Sequence, residues 1–303
     1  EPVQSMGQAL KQLNLDEIRR KVERYRQNGN PSSSARPACQ KCNDTGTINV
    51  LEWYDTGFVN KDGEPILAQR IKVDPVTGHP PICECQKIKM FEHCNAALVM
   101  SEEDRGQTFK AAIIDDENRQ QFEVAVNFVK NIEHHQKEGT WLYIFGDEKR
   151  AAVYNCSAYG TGKTYLMNCI ANALNHRRIP SLYVKEEKLF SDIKATYNRD
   201  SAETEWEVLD RYYRVPILFI DDLFSAQYKE WAEAKLFSIL DARRSNKKIT
   251  IITSNYSVDR IKERLPVNGA KIASRIIGQA TQIEMIGRDR RLEQAMKRKE
   301  MGA

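Results

Sequence analysis

The sequence predicts an α/β protein in which a mostly parallel sheet follows a small β-rich module. Two observations lead to this fold class. From about residue 107, apolar strand-like runs alternate with segments of helical periodicity, the pattern of a parallel sheet covered on both faces. Ahead of this region, strand-like runs and turn residues fall between two pairs of cysteines. We therefore expect two domains, residues 1–95 and residues 96–303.

Composition describes an ordinary globular protein. The chain has 303 residues, of which 41% are hydrophobic and 29% are charged. Its longest apolar runs are too short to cross a bilayer, and no segment has the pattern of a secretion signal. Seven cysteines without an export signal argue against a disulfide framework. These features predict a cytoplasmic protein without a membrane partner.

Four cysteines of the first domain have a spacing that suits zinc. Cys39-x-x-Cys42 and Cys83-x-Cys85 supply the four thiolates of a closed tetrahedral site, which leaves no open position for catalysis. Zinc would then hold together a module too small to bury much core. Free buried cysteines are the alternative interpretation. Further ligand candidates lie nearby: His79, His93 and Cys94.

Between the cysteine pairs, INVLEWYD and PILAQRIKVD predict a two-strand ribbon around a turn-rich connection. An amphipathic helix is predicted ahead of it, over residues 9–27. In the second domain we expect WLYIF to be a hairpin partner of AAVYNC, the run that directly precedes a glycine-rich turn. Strands SLYVK, VPILFID and KITIITSN follow, with helices between them.

The glycine-rich turn CSAYGTGKT matches the phosphate-loop pattern G-x-x-x-x-G-K-[ST], except that Ser157 stands in place of the first glycine. Glycines let the backbone approach phosphate oxygens, the lysine reaches the β- and γ-phosphates, and the threonine hydroxyl binds Mg²⁺. A glycine-rich turn with a solvated lysine is the alternative. The predicted nucleotide-binding residues are Gly160, Thr161, Gly162, Lys163, Thr164, Tyr165 and Asp221.

Acidic and amide side chains follow two of the apolar strands. VPILFIDD ends in Asp221, expected on Mg²⁺ together with Thr164, and in Asp222, expected to orient or deprotonate the attacking water. Asn255 ends a later strand and could hold that water near the γ-phosphate. Taken alone, each of these could equally be the cap of a turn.

Together, YGTGKT, LFIDD, TSN and the SRI run at Ser274–Ile276 resemble AAA+ replicative helicase loaders of the DnaC/DnaI type, in the IstB-like ATPase superfamily. The segment from Thr108 to Asn131 is similar to the lead-in of their ATPase domain. The resemblance implies a bacterial or phage-encoded ATPase that uses ATP and Mg²⁺, with slow hydrolysis as a switch. It also implies binding to a hexameric replicative helicase through residues 1–95, contact with single-stranded DNA, and self-association in the ATP state.

Two further site residues come from the same resemblance. Arg275 matches an arginine that reads the nucleotide from the lid region, and Lys271 stands where an arginine finger is often found. Lysine lacks the bidentate fork of arginine, so sensing of the γ-phosphate across a subunit boundary would be weaker. Loaders of Gram-positive bacteria and their phages also carry a zinc-containing N-terminal domain, which the cysteine module resembles more loosely.

Other functions remain open at this stage. An IstB-type transposition ATPase would bind duplex DNA without a helicase, and a low-turnover ATP-binding protein could divert a host helicase; a zinc-dependent hydrolase would need an open metal position. Basic residues crowd between Lys271 and Lys299, either as a solvated helix face or as a nucleic-acid contact. Tyr228, Lys229 and Trp231 could touch DNA or belong to the core.

Overall fold

The computed structural model describes residues 38–73 and 80–301, and the chain divides into two compact units, Glu1–Cys85 and Gln86–Ala303. The helix predicted over residues 9–27 and the candidate ligand His79 lie outside the described residues. The predicted domain boundary, after residue 95, falls within the second unit. No helix in the described ranges is long and apolar enough to cross a membrane.

The first unit contains the ribbon that the sequence predicted. Strands β1 (Leu51–Val59) and β2 (Pro65–Ile71) pair antiparallel, with Leu51 opposite Ile71 and Asp55 opposite Leu67. The connection turns at Asn60, whose side-chain oxygen accepts hydrogen bonds from the backbone N–H groups of Asp62 and Glu64 at 2.9 Å each. Such an Asx turn is the local signal that separates the two strands.

The second unit is built on a five-stranded parallel sheet in the order β4-β5-β6-β3-β7. Its strands are β3 (Trp141–Phe145), β4 (Ser181–Lys185), β5 (Ile217–Leu223), β6 (Ile249–Ser254) and β7 (Ala280–Glu284). The helices of the described residues are α1 (Glu84–His93), α2 (Glu102–Gly106), α3 (Arg119–Lys130), α4 (Ile132–Glu138), α5 (Glu148–Val153), α6 (Lys163–His176), α7 (Glu186–Ala195), α8 (Glu205–Arg214), α9 (Glu230–Ser245), α10 (Ile261–Arg264), α11 (Gly269–Gln279) and α12 (Arg290–Met301).

The strands read as continuous apolar runs because both faces of the sheet are covered. In β5, Leu218 and Ile220 belong to one buried cluster and Ile217 and Phe219 to the other. Helices α3 and α6 supply apolar side chains to the second cluster, whereas α7, α8, α9 and α11 supply the first. The layered parallel sheet predicted from the alternating pattern is confirmed.

The predicted hairpin in front of the glycine-rich turn is wrong. WLYIF is β3, a fully buried strand that lies between β6 and β7 and pairs parallel with both. The first half of the AAVYNC run belongs instead to α5, because the Asp147 side chain accepts a hydrogen bond from the Arg150 N–H and caps a helix. Strand β7 has no apolar run in the sequence, because Ile283 is its one buried residue.

Candidate functional site

The phosphate loop lies at the carboxyl ends of the parallel strands, where open α/β sheets place their ligands. Gly162 precedes α6 with a φ of 98°, and Gly160 has a φ of 64°. Both values fall in the left-handed region that side chains with a Cβ rarely adopt. The loop therefore delivers Lys163 and Thr164 to the first turn of α6, with the helix N-terminus facing the same space.

Gly146, from outside the matched motif, lies where the first glycine of the loop pattern is expected in space. Gly146 directly follows β3, and a Cβ at this position would lie 2.7 Å from the Met285 carbonyl oxygen and 2.8 Å from that of Ala158. It would also lie 3.2 Å from Nζ of Lys163. Gly146 thus takes the place of the first glycine, and residues 147–157, including α5, are an insertion within the loop. A glycine directly after a buried strand was the signal that could have revealed it.

Ser157 has a different structural role. It forms an antiparallel bridge with Gly287, in which the N–H of Ser157 donates over 2.7 Å and the N–H of Gly287 donates over 2.9 Å. Its hydroxyl oxygen accepts the Tyr159 N–H at 3.0 Å. Ser157 consequently ties the end of the insertion to the segment that follows β7.

The predicted magnesium ligands lie together. The Thr164 hydroxyl donates to Oδ1 of Asp221 over 3.1 Å, and the Thr253 hydroxyl donates to the same oxygen over 2.6 Å. Asp221 is 3% exposed at the end of β5. A hydroxyl and a carboxylate are hard oxygen ligands of the kind that Mg²⁺ prefers, so these two residues fit the ion.

The structure also brings Asp222 to Asn255. The Asn255 amide donates to Oδ1 of Asp222 over 3.0 Å, and the backbone N–H of Asp222 donates to the Thr253 hydroxyl over 2.8 Å. Burial and the neighbouring Asp221 carboxylate raise the pKa of Asp222. An acid with a raised pKa beside a second carboxylate is the environment in which a proton acceptor works.

Lys163 points back across the loop, where its ammonium donates to the Ala158 carbonyl over 2.6 Å. Burial lowers the pKa of Lys163 to about 8, opposed by the charges of Asp222 and Asp221 and assisted by that of Arg291. Arg291, which no sequence motif marks, is therefore among the charges that surround the Lys163 ammonium.

Residues 285–290, which directly precede Arg291, pack against the phosphate loop. The Thr161 hydroxyl donates to the Met285 carbonyl, and the Arg290 N–H donates to the Gly160 carbonyl, both over 3.0 Å. A Cβ on Gly160 would stand 1.9 Å from Oδ1 of Asp289, so a larger residue there would require the Asp289 side chain to move. Within the basic stretch, Arg288 and Arg290 pair with Asp115.

Lys271 and Arg275 lie on α11, and their contacts do not include the phosphate loop. The Arg275 guanidinium pairs with Asp241 at 2.7 Å and lies 4.2 Å above the Phe237 ring. The Lys271 ammonium lies 5.6 Å above the same ring. Both partners belong to α9, so within one chain these two residues belong to a helix–helix contact.

Three other candidates have contacts in the core. Tyr165 packs against the buried cluster that includes α3 and α6. The hydroxyl of Tyr228 donates to the buried Glu186, and the Trp231 indole N–H donates to the Tyr197 hydroxyl over 3.0 Å. Tyr228 and Trp231 also pack against the buried cluster on the other face of the sheet, which agrees with their core interpretation.

The four paired cysteines form one cluster. Their sulfur atoms all lie within 4.8 Å of one another, with 3.7 Å between Cys39 and Cys83 and 3.4 Å between Cys42 and Cys85. Zn–S bonds of about 2.3 Å in a tetrahedron separate the sulfurs by about 3.8 Å, so the cluster fits zinc.

The electrostatics of the cluster also suit a cation. Hydrogen bonds from the backbone N–H groups of Cys42 and Lys41 lower the pKa of Cys39 to about 6, as in a zinc knuckle. The Cys42 thiol beside it raises the pKa of Cys85 to about 12. Four crowded thiols cannot all ionise without a compensating positive charge, which a metal ion supplies.

Comparisons with known proteins agree with this arrangement. The family model described as "Bacterial DnaA ATPAse domain" matches residues 104–277, more than half of the chain. The chain belongs to this family. Its match covers the phosphate loop, the acidic strand β5 and the strand that ends near Asn255, and it ends just beyond Arg275.

Helicase loaders are among the relatives. The replicative helicase loader DnaI of Bacillus subtilis (strain 168) is 25% identical over 265 residues, which cover 84% of this chain and 78% of that protein. The replicative helicase loader DnaC of Buchnera aphidicola subsp. Baizongia pistaciae is 31% identical over 103 residues, 34% of this chain and 42% of that protein. The resemblance to AAA+ helicase loaders is confirmed.

Solved structures share the fold. A crystal structure of DnaI is 28% identical, with a TM-score of 0.50 over 63% of this chain and 94% of that one. A crystal structure of the DnaC helicase loader has a TM-score of 0.51 over 61% of this chain and 99% of that one, at 20% identity. The second unit is thus an AAA+ ATPase fold.

Proposed function

We propose that this protein is an ATP-dependent loader that binds a hexameric replicative DNA helicase and helps to place it on single-stranded DNA at the start of replication in a bacterial cytoplasm. The similarity to DnaI carries this proposal because it covers 84% of the chain. Residues 86–303 make up less than three quarters of the chain, so the similarity must extend into the first unit. A general ATPase would share the second unit alone.

In this proposal ATP·Mg²⁺ occupies the phosphate loop. Gly160, Gly162 and the N-terminus of α6 would bind the phosphates, with Lys163 on the β- and γ-phosphates. Thr164 and Asp221 would hold Mg²⁺, which neutralises developing charge on the phosphates. Asp222 would orient the attacking water with help from Asn255, since their side chains are 3.0 Å apart. Hydrolysis would be slow and act as a switch.

Basic side chains would contact the nucleotide in two ways, from the same chain and from a neighbouring subunit. We assign the contact within one chain to Arg291, because the N–H of the preceding residue, Arg290, donates to the Gly160 carbonyl of the phosphate loop over 3.0 Å. Lys271 and Arg275 lie on α11 in contact with α9, so we propose that they act on the nucleotide of a neighbouring subunit when the ATP-bound protein self-associates.

The helicase would dock on residues 1–95, and zinc at Cys39, Cys42, Cys83 and Cys85 would hold that surface in shape. One face of the ribbon exposes several apolar side chains. Leu51 and Trp53 of β1 are 60% and 65% exposed. Leu51 pairs with Ile71 of β2, and Leu67, which pairs with Asp55, lies on the same face. Exposed apolar patches of this kind mark protein interaction sites.

The test is light scattering after gel filtration of the full chain mixed with the hexameric helicase of the source organism or its host. We expect a complex that is lost in a Cys39→Ser, Cys42→Ser double variant and weakened in Trp53→Ala. Ile113→Ala, a change at a 78% exposed residue of the second unit, is the control and should bind normally.

Failure to form a complex, with or without ATP, would overturn the loader function. Duplex DNA binding by such a protein would then support the transposition ATPase instead. A complex with normal affinity but no ATP turnover in any condition would favour the protein that diverts a helicase.

A further inference from the structure

A buried glutamate holds the turn that follows the acidic strand end. Glu186, the first residue of α7, is 1% exposed. Its carboxylate accepts hydrogen bonds from the backbone N–H groups of Phe224 and Ala226, each over 2.8 Å, and from the Ser225 hydroxyl over 3.0 Å. The Tyr228 hydroxyl donates to it as well. Every acceptor site of this buried acid is thus committed to residues 224–228.

An arginine holds the same turn from the other side. Arg264, the last residue of α10, donates to the carbonyl oxygens of Phe224, Ser225 and Ala226 over 3.1, 3.2 and 2.8 Å. Its guanidinium lies 5.1 Å above the Tyr256 ring. The Glu186 carboxylate therefore binds N–H groups of the turn, and the Arg264 guanidinium binds its carbonyl groups. We name Glu186, Arg264 and the turn Phe224–Ala226 the turn clamp.

The backbone at and next to the turn clamp has unusual φ angles. Asp222 has a φ of 57° and Phe224 a φ of 74°, both in the left-handed region that non-glycine residues rarely adopt. Such conformations persist where the surrounding structure enforces them, and they cluster at functional sites. One fully buried residue, Leu223, separates Asp222 from the clamped turn.

We propose that Glu186 is a positioning residue for Asp222, whose carboxylate it aims at Asn255 by holding the turn that follows. The inference rests on the proposed role of Asp222 in orienting the attacking water. Glutamine at position 186 would set a donating NH₂ group against the N–H of either Phe224 or Ala226, so the turn would lose one of its two backbone bonds to this side chain.

The experiment compares Glu186→Gln with Glu187→Gln, a matched change at the exposed neighbouring residue, and with Asp222→Asn. ATP turnover is measured with Mg²⁺, single-stranded DNA and helicase, and affinity is measured with a non-hydrolysable ATP analogue. We expect Glu186→Gln to lower kcat by at least about tenfold with an affinity within about twofold of the parent. Glu187→Gln should match the parent, and Glu186→Gln added to Asp222→Asn should cause no further loss.

The outcomes distinguish a failure of the positioning role of Glu186 from a failure of the proposed function. If Asp222→Asn loses turnover while Glu186→Gln keeps the parental kcat, the positioning role is wrong and the function stands. If Asp222→Asn turns over like the parent, or the parent does not turn over, the role of Asp222 fails and the inference fails with it. Equal losses of affinity and kcat in Glu186→Gln would indicate a purely structural acid.

Should Glu186→Gln fail to fold, Tyr228→Phe provides the same test, because it removes one donor to Glu186 and keeps the aromatic ring. A fall in kcat at unchanged affinity supports the positioning role, and a parental kcat overturns it.

Discussion

Two residues of the phosphate loop have structural roles that a comparison of the sequence with the motif would not predict. Gly146 lies at the close approach of the loop to Met285, whereas Ser157 pairs with Gly287. Both follow from the insertion of residues 147–157, which moves the first glycine away from Gly160 in sequence and leaves it beside Lys163 in space. A departure from the motif therefore does not indicate a decayed site.

Gly146→Ala should lower the affinity for an ATP analogue by at least about tenfold, because the added methyl group would meet two carbonyl oxygens and disturb Lys163. Ser157→Gly should leave the affinity within about threefold. Equilibrium binding measures both, and Gly278→Ala is the control because a Cβ there meets nothing within 4 Å. The opposite ranking would return the first-glycine position to Ser157.

Asp147 anchors the start of the insertion. Burial would raise the pKa of its carboxyl, but hydrogen bonds from Ser257, Arg150 and Arg260 hold it at about 2, below its ordinary 3.8. The Arg260 guanidinium lies 3.0 Å from the carboxylate, and Asp147 is fully buried. The ionised form therefore stabilises the fold at every pH above 3.8.

Asp147→Asn should lower the free energy of unfolding by about 2 kcal/mol at pH 7. Because the parent loses this contribution as pH falls from about 4 to about 2, the gap between parent and variant should shrink to about half by pH 3. Urea unfolding across this pH range measures it. A gap that stays constant would mean that the carboxylate charge is not what stabilises the insertion.

At the scale of secondary structure, α9 is joined to two neighbouring elements by one buried side chain. Arg243 is fully buried, and burial lowers its pKa to about 9. Its guanidinium donates to the carbonyl oxygens of Tyr212 and Val215 over 2.6 and 2.9 Å, to that of Ile249, and to the Thr250 hydroxyl over 2.9 Å. These partners lie at the end of α8 and the start of β6.

Arg243→Met should destabilise the second unit by about 3 kcal/mol, because the apolar side chain fills the space but leaves buried carbonyl groups without donors. Arg244→Met, at the exposed next residue, is the matched control and should change stability by less than about 0.5 kcal/mol. Thermal and urea unfolding measure both. Equal stability of the two variants would show that water replaces the guanidinium.

At the scale of the whole molecule, the two units differ in what holds them together. The second has two large apolar clusters on either side of its sheet. In the described part of the first, the buried residues are Cys42 and Cys83, and the ribbon side chains are largely exposed. A unit with so little apolar core depends on its cysteine cluster.

Removal of zinc with a chelator should unfold the first unit, abolish helicase binding and leave affinity for the ATP analogue unchanged. Metal analysis, the fluorescence of Trp53 in a variant whose other tryptophans are phenylalanine, and analogue binding measure the three effects. Re-addition of zinc should restore the fluorescence. A chelator-treated protein that still binds helicase would exclude a structural role for zinc.

Local pattern alone determined a large part of this protein. GTGKT lies at the start of α6 and LFIDD and TSN lie at strand ends, and the parallel sheet brings Thr164 to Asp221 and Asp222 to Asn255, as expected. The cysteine pairs likewise meet in one cluster. These features were predictable because glycine conformation, ligand spacing and hydrophobic periodicity act over a few residues.

Tertiary structure alone decided the rest. AAVYNC is apolar enough for either a strand or a helix, and the buried cap at Asp147, held by Arg260 from far along the chain, selects the helix. Gly146, Arg291 and Glu186 carry no motif, because each acts on residues that are distant in sequence and adjacent only after the sheet forms. Short-range patterns specify elements, whereas the contacts that complete the site come from packing those elements together.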